Sequence, residues 1–282
     1  MCCFSQPVEL VSDTDIFARS VNGRQVLVYS MTYAARGDLA MVLPLPVPPN
    51  SIEEAVTFID LQRYPDFFDD LRSGFPRRMV HTRSLGSKTL SLDTPKLRVH
   101  AVGDFEASFV PRIDDFKRLD ERFRIPPDVW ARLPVYHDYG FAVFKLKSSA
   151  PPWHGGELSE PSETPERRAR KPRRVHPMAF EFPRRNPDLL YFPTVHVHDR
   201  EVHSRAMFDH MLYCQPDTLT ANYLQGWEHS PRPASKFMDI ARAKDLLDPN
   251  LFCRRRPLEG ILENKDTLVG QGGILPKHAT TV

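Results

Sequence analysis

With 282 residues, 41% of them hydrophobic, the chain is long enough to bury a sizeable core in one large domain or two modest ones. Its 38 basic and 36 acidic residues leave a formal net charge of +2, so no global field draws nucleic acid or anionic lipid, and a nucleic-acid partner is not favoured. No stretch approaches the roughly 20 apolar residues of a membrane helix, and the first residues carry acids in place of a basic start and apolar core. These features exclude a spanning helix and make the cytoplasm the expected compartment.

Four cysteines, Cys2, Cys3, Cys214 and Cys253, are too few for a disulfide scaffold of this length. The 27 prolines against 13 glycines favour extended segments with sharp exits over a helical bundle. In chain order, Gln25 to Tyr33 (QVLVYSMTY) and Leu39 to Val47 (LAMVLPLPV) read as strands, being aromatic and β-branched or apolar up to a proline. Ser51 with Glu54 makes a capping box ahead of Val56, Ile59 and Leu61, which predicts a helix interrupted at Tyr64-Pro65. Asp66 to Leu71 restarts a short one. Leu97 to Val110, split by Gly103, predicts two strands or one bulged strand.

Ile113, Phe116, Leu119 and Phe123 recur at helical spacing up to Ile125-Pro126-Pro127, and Asp128 caps a further short helix through Leu133. Tyr139 to Lys147 (YGFAVFKLK) is a buried strand. From Ser148 to Arg174 the chain turns to proline, glutamate and arginine, the composition of a disordered insertion. Strands resume at His176 to Phe182 and Leu189 to His198. A helical pattern then covers Ala234 to Leu247, and the last twenty residues look loosely held. The fold class expected is α+β or mainly β, with mixed or antiparallel sheets and a few short flanking helices. Residues 1–147 form its strand-rich first part, 148–174 the insertion and 175–282 the remainder of the same domain.

The first half resembles an uncharacterised bacterial family, the domain of unknown function 2330 family. The resemblance rests on the early cysteine followed by Pro7 to Phe17, on Tyr29 to Pro49 (YSMTYAARGDLAMVLPLPVPP), on Val102 to Phe123 (VGDFEASFVPRIDDFKRLDERF) and on Tyr139 to Lys147. It implies a shared strand-rich fold and no known activity.

Chemistry concentrates in Phe192 to Cys214 (FPTVHVHDREVHSRAMFDHMLYC), where four histidines, two aspartates, a glutamate and a cysteine occur in 23 residues. If Thr194 to His198 is a strand, His196 and His198 share a face and their imidazoles can converge on one transition metal, zinc among the candidates. His203, Asp199 or Glu201 would supply a third ligand, and His210 and Cys214 would share a face if they lie on a helix. An open coordination position would activate water with Asp199 or Glu201 as general base. Polar surface residues give the same pattern without any metal.

A second chemistry is an N-terminal nucleophile, since removal of Met1 would leave the Cys2 thiol beside its own free amine. In a third, Cys2 and Cys3 are brought by the fold to the histidine segment. Arg167 to Arg174 (RRARKPRR) follows several glutamates and no aromatic ladder interleaves it, so it reads as a solvated stretch. Two function classes therefore stay open: a metal-binding protein, with metal-dependent hydrolysis as its catalytic form, and a non-catalytic protein-interaction module.

Overall fold

The computed structural model describes residues 3–35, 37–76, 100–102, 105–146, 172–216, 224, 226–270 and 273–274. The strands in chain order are β1 (Cys3–Phe4), β2 (Leu10–Val21), β3 (Arg24–Ala34), β4 (Leu39–Leu45), β5 (Thr57–Asp60), β6 (His100–Val102), β7 (Phe105–Val110) and β8 (Gly140–Leu146). They continue with β9 (Arg173–Arg174), β10 (Met178–Pro183), β11 (Leu190–Phe192), β12 (Arg205–Gln215), β13 (Glu228–Pro233), β14 (Phe252–Glu263), β15 (Thr267–Gly270) and β16 (Gly273–Ile274). Two short α-helices, α1 (Phe67–Ser73) and α2 (Pro127–Ala131), and several 3-10 segments complete the described elements. The chain is thus strand-rich, as its composition indicated, with mixed and antiparallel sheets.

A five-stranded antiparallel sheet runs β1-β4-β8-β7-β6, and an eight-stranded sheet runs β13-β14-β12-β2-β3-β10-β5 with β9 beside β3. Within the larger sheet β12 lies parallel to β2, and every other pair is antiparallel. The β2–β3 hairpin closes on Asn22 and Gly23, whose φ values of 49° and 76° both fall in the left-handed region. That is the two-residue turn whose twist matches its strands, and it fixes Val21 opposite Arg24.

Gln25 to Tyr33 carries aromatic and β-branched residues at both parities because β3 is covered on both faces. Leu27, Tyr29, Met31 and Tyr33 enter the core shared with Met41, Leu43, Phe109 and Phe144 of the smaller sheet. Val26 and Val28 face the opposite way, against Leu61, Tyr64, Phe67, Phe68, Leu71 and Phe75, so the aromatic residues of Tyr64 to Phe68 (YPDFF) anchor the core. A third cluster lies on the outer face of the smaller sheet, where Phe116, Phe123, Val129 and Trp130 cover Ala40, Val42, Phe141 and Val143.

Asp15 is 3% exposed at the bulge of β2 and accepts from Arg72 of α1 at 2.8 Å and Arg174 of β9 at 2.7 Å. Burial pushes its carboxyl up, against the pull of both guanidiniums. Through this pair Arg173–Arg174 belongs to the larger sheet, so the basic run enters the fold at its end. The rest of the expected insertion, 148–171, lies outside the described residues.

Several local expectations give way to tertiary pairing. The capping box at Ser51 opens only a 3-10 turn over Glu53–Ala55, and Thr57–Asp60 joins β10 as an edge strand. β-Branched Val56, Thr57 and Ile59 suit that partner better than a helix. The 113–123 pattern is helical in period but folds as two 3-10 segments, Ile113–Arg118 and Glu121–Phe123, which suffice to bury Phe116 and Phe123. Ala234 to Leu247 forms a 3-10 turn at Ala234–Lys236 followed by turns, with Lys244 and Asp245 both at positive φ, which no α-helix allows. The last twenty residues are not loose throughout: β15 pairs with β11 and β16.

Candidate functional site

The histidine segment follows β11, and its backbone is held by side chains from the turn between β14 and β15. Asp266 accepts from the amides of Thr194 at 2.8 Å and Val195 at 3.0 Å, and from the hydroxyls of Tyr136 at 2.7 Å and Tyr191 at 2.6 Å. Asn264 continues the work of a pairing strand. Its Oδ1 accepts from the His196 amide at 2.6 Å, and its Nδ2 donates to the carbonyls of His196 and His203 at 2.8 and 2.9 Å. Thr194 to His198 is therefore not a strand of any of the three sheets, the third being β11-β15-β16. It is an extended run with one parallel bridge, Cys3 to Val197. Asp266 and Asn264 had no sequence signal beyond a polar turn.

His196 and His198 do lie together, with ring centroids 5.1 Å apart, and His210 of β12 comes to 5.2 Å from His196. The planes are inclined by only 26° and 17°. Phe208 packs on His196 at 4.2 Å and Phe4 on His198 at 5.6 Å, so the imidazoles sit in an aromatic column. His196 is 6% and His210 1% exposed. Burial holds all three imidazoles well below their usual range, with neighbouring rings adding to the effect at His196 and His210; His198 and His210 fall to about 4. They are neutral at pH 7. The Nε2 atoms of His196 and His210 are buried without a hydrogen-bond partner, and His210 Nδ1 lies 3.2 Å from the Asp209 amide and 3.5 Å from its carboxylate.

The other sequence candidates lie apart from this column or point elsewhere. His203 pairs with Asp199 at 2.8 Å on the surface, and Glu201 pairs with Arg132. His210 and Cys214 are on β12, not on a helix; four residues of strand separate them by about 13 Å along one face. Cys214 is fully buried, which pushes its thiol up and keeps it protonated. Cys3 does reach the histidine segment through its bridge to Val197, but its side chain packs with Val42, Val110, Phe141 and Val195 while the Phe4 ring turns toward His198. Strand alternation sends the thiol to the opposite face. Cys2 lies outside the described residues. Among the described residues no three His, Cys, Asp or Glu side chains are grouped to hold a metal ion.

A different surface is exposed and apolar. Met207 of β12 and Ile261 of β14 stand directly opposite each other, 63% and 59% exposed, on the face of the sheet turned away from the column. Asp209 and Glu259 are the next pair along.

No helix among the described residues is long and apolar enough to cross a membrane. No family model matches the chain and no curated protein matches it. It is similar to one solved structure, the crystal structure of baculovirus P35, at 11% identity and a TM-score of 0.43, over 96% of this chain and 99% of that one.

Proposed function

We propose that the chain is a non-catalytic protein-binding module whose contact surface is the exposed face of β12 and β14. The observation that carries this is the Met207–Ile261 pair. Two large aliphatic side chains paired across strands stand open to water among the described residues, and removal of such side chains from a contact centre costs about 1–2 kcal/mol each, roughly tenfold in affinity. The test is a photo-crosslinking residue at position 207, with the same residue at exposed Val135 as control. A saturable adduct with one protein identified by mass spectrometry is expected at 207, lost on Ile261→Arg. Equal labelling at both positions would sink the reading.

A second reading is a buried transition-metal site, favoured by the two unpartnered Nε2 atoms. His196 and His210 offer neutral imidazoles with His198 beside them. Zinc suits such nitrogens. Hydrolysis would also need a base, and the sequence candidates Asp199 and Glu201 are held at the surface by His203 and Arg132. Elemental analysis after dialysis against zinc should find close to one equivalent, absent from the His196→Gln/His210→Gln variant. A metal-free wild type excludes this reading.

A further inference from the structure

The far edge of β14 carries more information than its exposed face. β13 flanks β14 only over Phe252–Arg255, so among the described residues 256–263 are strand-paired on the β12 side alone. Which backbone groups face outward follows from three independent observations. The Cys253 amide donates to Ser230 Oγ of β13, away from β12. Pro257 has no N–H to give its partner Met211. The Arg205 guanidinium reaches the Ile261 carbonyl at 2.8 Å, which leaves that oxygen outside the ladder with β12. The register from Arg254 to Glu263 is unbroken. With a period of two, the odd-numbered residues turn their backbone outward, so the Glu259 N–H and C=O and the Ile261 N–H stand at the open edge, where the Ile261 carbonyl already accepts from Arg205.

The side chains on the same face specify what would pair there. Asp209 lies opposite Glu259 in register, a like-charge cross-strand pair that a shared cation would stabilise, with Asp209 Oδ2 also accepting from the Asp13 amide at 3.0 Å. Next to it stand Met207 and Ile261. A complementary strand therefore carries a basic side chain against Asp209 and Glu259, and an aliphatic one two residues away against Met207 and Ile261.

Resting on the protein-binding reading above, we propose that β14 receives an added strand at Glu259 and Ile261 from an extended, basic and aliphatic segment of a partner protein. Main-chain hydrogen bonds would supply affinity and the acidic pair would select lysine or arginine.

The test uses the full chain and two short fluorescent peptides, acetylated and amidated, one alternating lysine with valine and the other glutamate with valine. Fluorescence anisotropy should show the lysine peptide binding at least about tenfold more tightly, and Glu259→Lys should erase most of that preference. Ile261→Pro removes one outward N–H and no internal bond, and should weaken the lysine peptide about tenfold. If that variant fails to fold, hydrogen exchange decides in its place, since the Glu259 and Ile261 amides must become protected when the peptide saturates the protein. Equal affinity for both peptides, or amides that stay unprotected, overturns strand addition. An adduct at position 207 combined with failed peptide tests overturns strand addition alone; the absence of the adduct overturns the protein-binding reading with it.

Discussion

Asp266→Ala is expected to lower the unfolding free energy by roughly 3–4 kcal/mol, while Asp266→Asn costs no more than about 1–1.5. Alanine leaves the amides of Thr194 and Val195 and the hydroxyl of Tyr136 in a buried site without an acceptor. Asparagine behaves differently because of what lies around the second carboxylate oxygen. The Tyr191 hydroxyl has two acceptors within reach, Asp266 Oδ2 at 2.6 Å and the Pro44 carbonyl at 2.8 Å, and only one proton. Burial pushes the Asp266 carboxyl up. In the Asp266→Asn variant Oδ1 keeps both amides, and an Nδ2 donating to the Tyr191 hydroxyl lets the tyrosine donate to Pro44 instead. The variant loses only the acceptor of the Tyr136 bond. Urea unfolding of the two variants near neutral pH checks this; equal losses would mean that Asp266 acts as a charged acceptor.

Acid should unfold the protein well before its carboxylates titrate. His198 and His210 stay neutral in the folded chain down to about pH 4, whereas the unfolded chain takes up those protons near the ordinary value of 6.5. Between these values the unfolded state binds more protons, so stability is complete above about pH 6.5 and is lost as the pH falls through the window. Desolvation drives the shift, and Asp209 beside His210 and Asp199 beside His198 oppose it. From about pH 7.5 to 5, each imidazole contributes a loss on the order of 2 kcal/mol. Urea midpoints measured with chelator present should fall accordingly, and the fall should shrink by more than half in a His198→Gln/His210→Gln variant. A variant with the same fall as wild type would place the acid sensitivity elsewhere.

Where a residue's neighbours along the chain settle its state, the sequence was a sufficient guide. Gly140–Leu146, Leu39–Leu45 and Arg24–Ala34 are strands because runs rich in apolar, β-branched or aromatic residues fit a sheet covered on both faces, and proline or the Asn22-Gly23 turn bounds two of them. Phe67–Ser73 is a helix in the place its pattern indicated. The nearness of His196 and His198 was also legible, since extended backbone of any kind puts alternate side chains on one side.

Tertiary structure decided what depended on distant partners. The third ring of the column is His210, supplied by β12, and not His203, which a turn carries outward to Asp199. Capping at Ser51 lost to the open edge of β10, because a strand gains a ladder of hydrogen bonds where an isolated helical turn gains few. The histidine segment stays extended through Asp266 and Asn264, some seventy residues later in the chain. No local pattern encodes such contacts: burying a carboxylate or an amide is favourable only where the fold has already gathered its hydrogen-bond partners, and that gathering is a property of the whole chain.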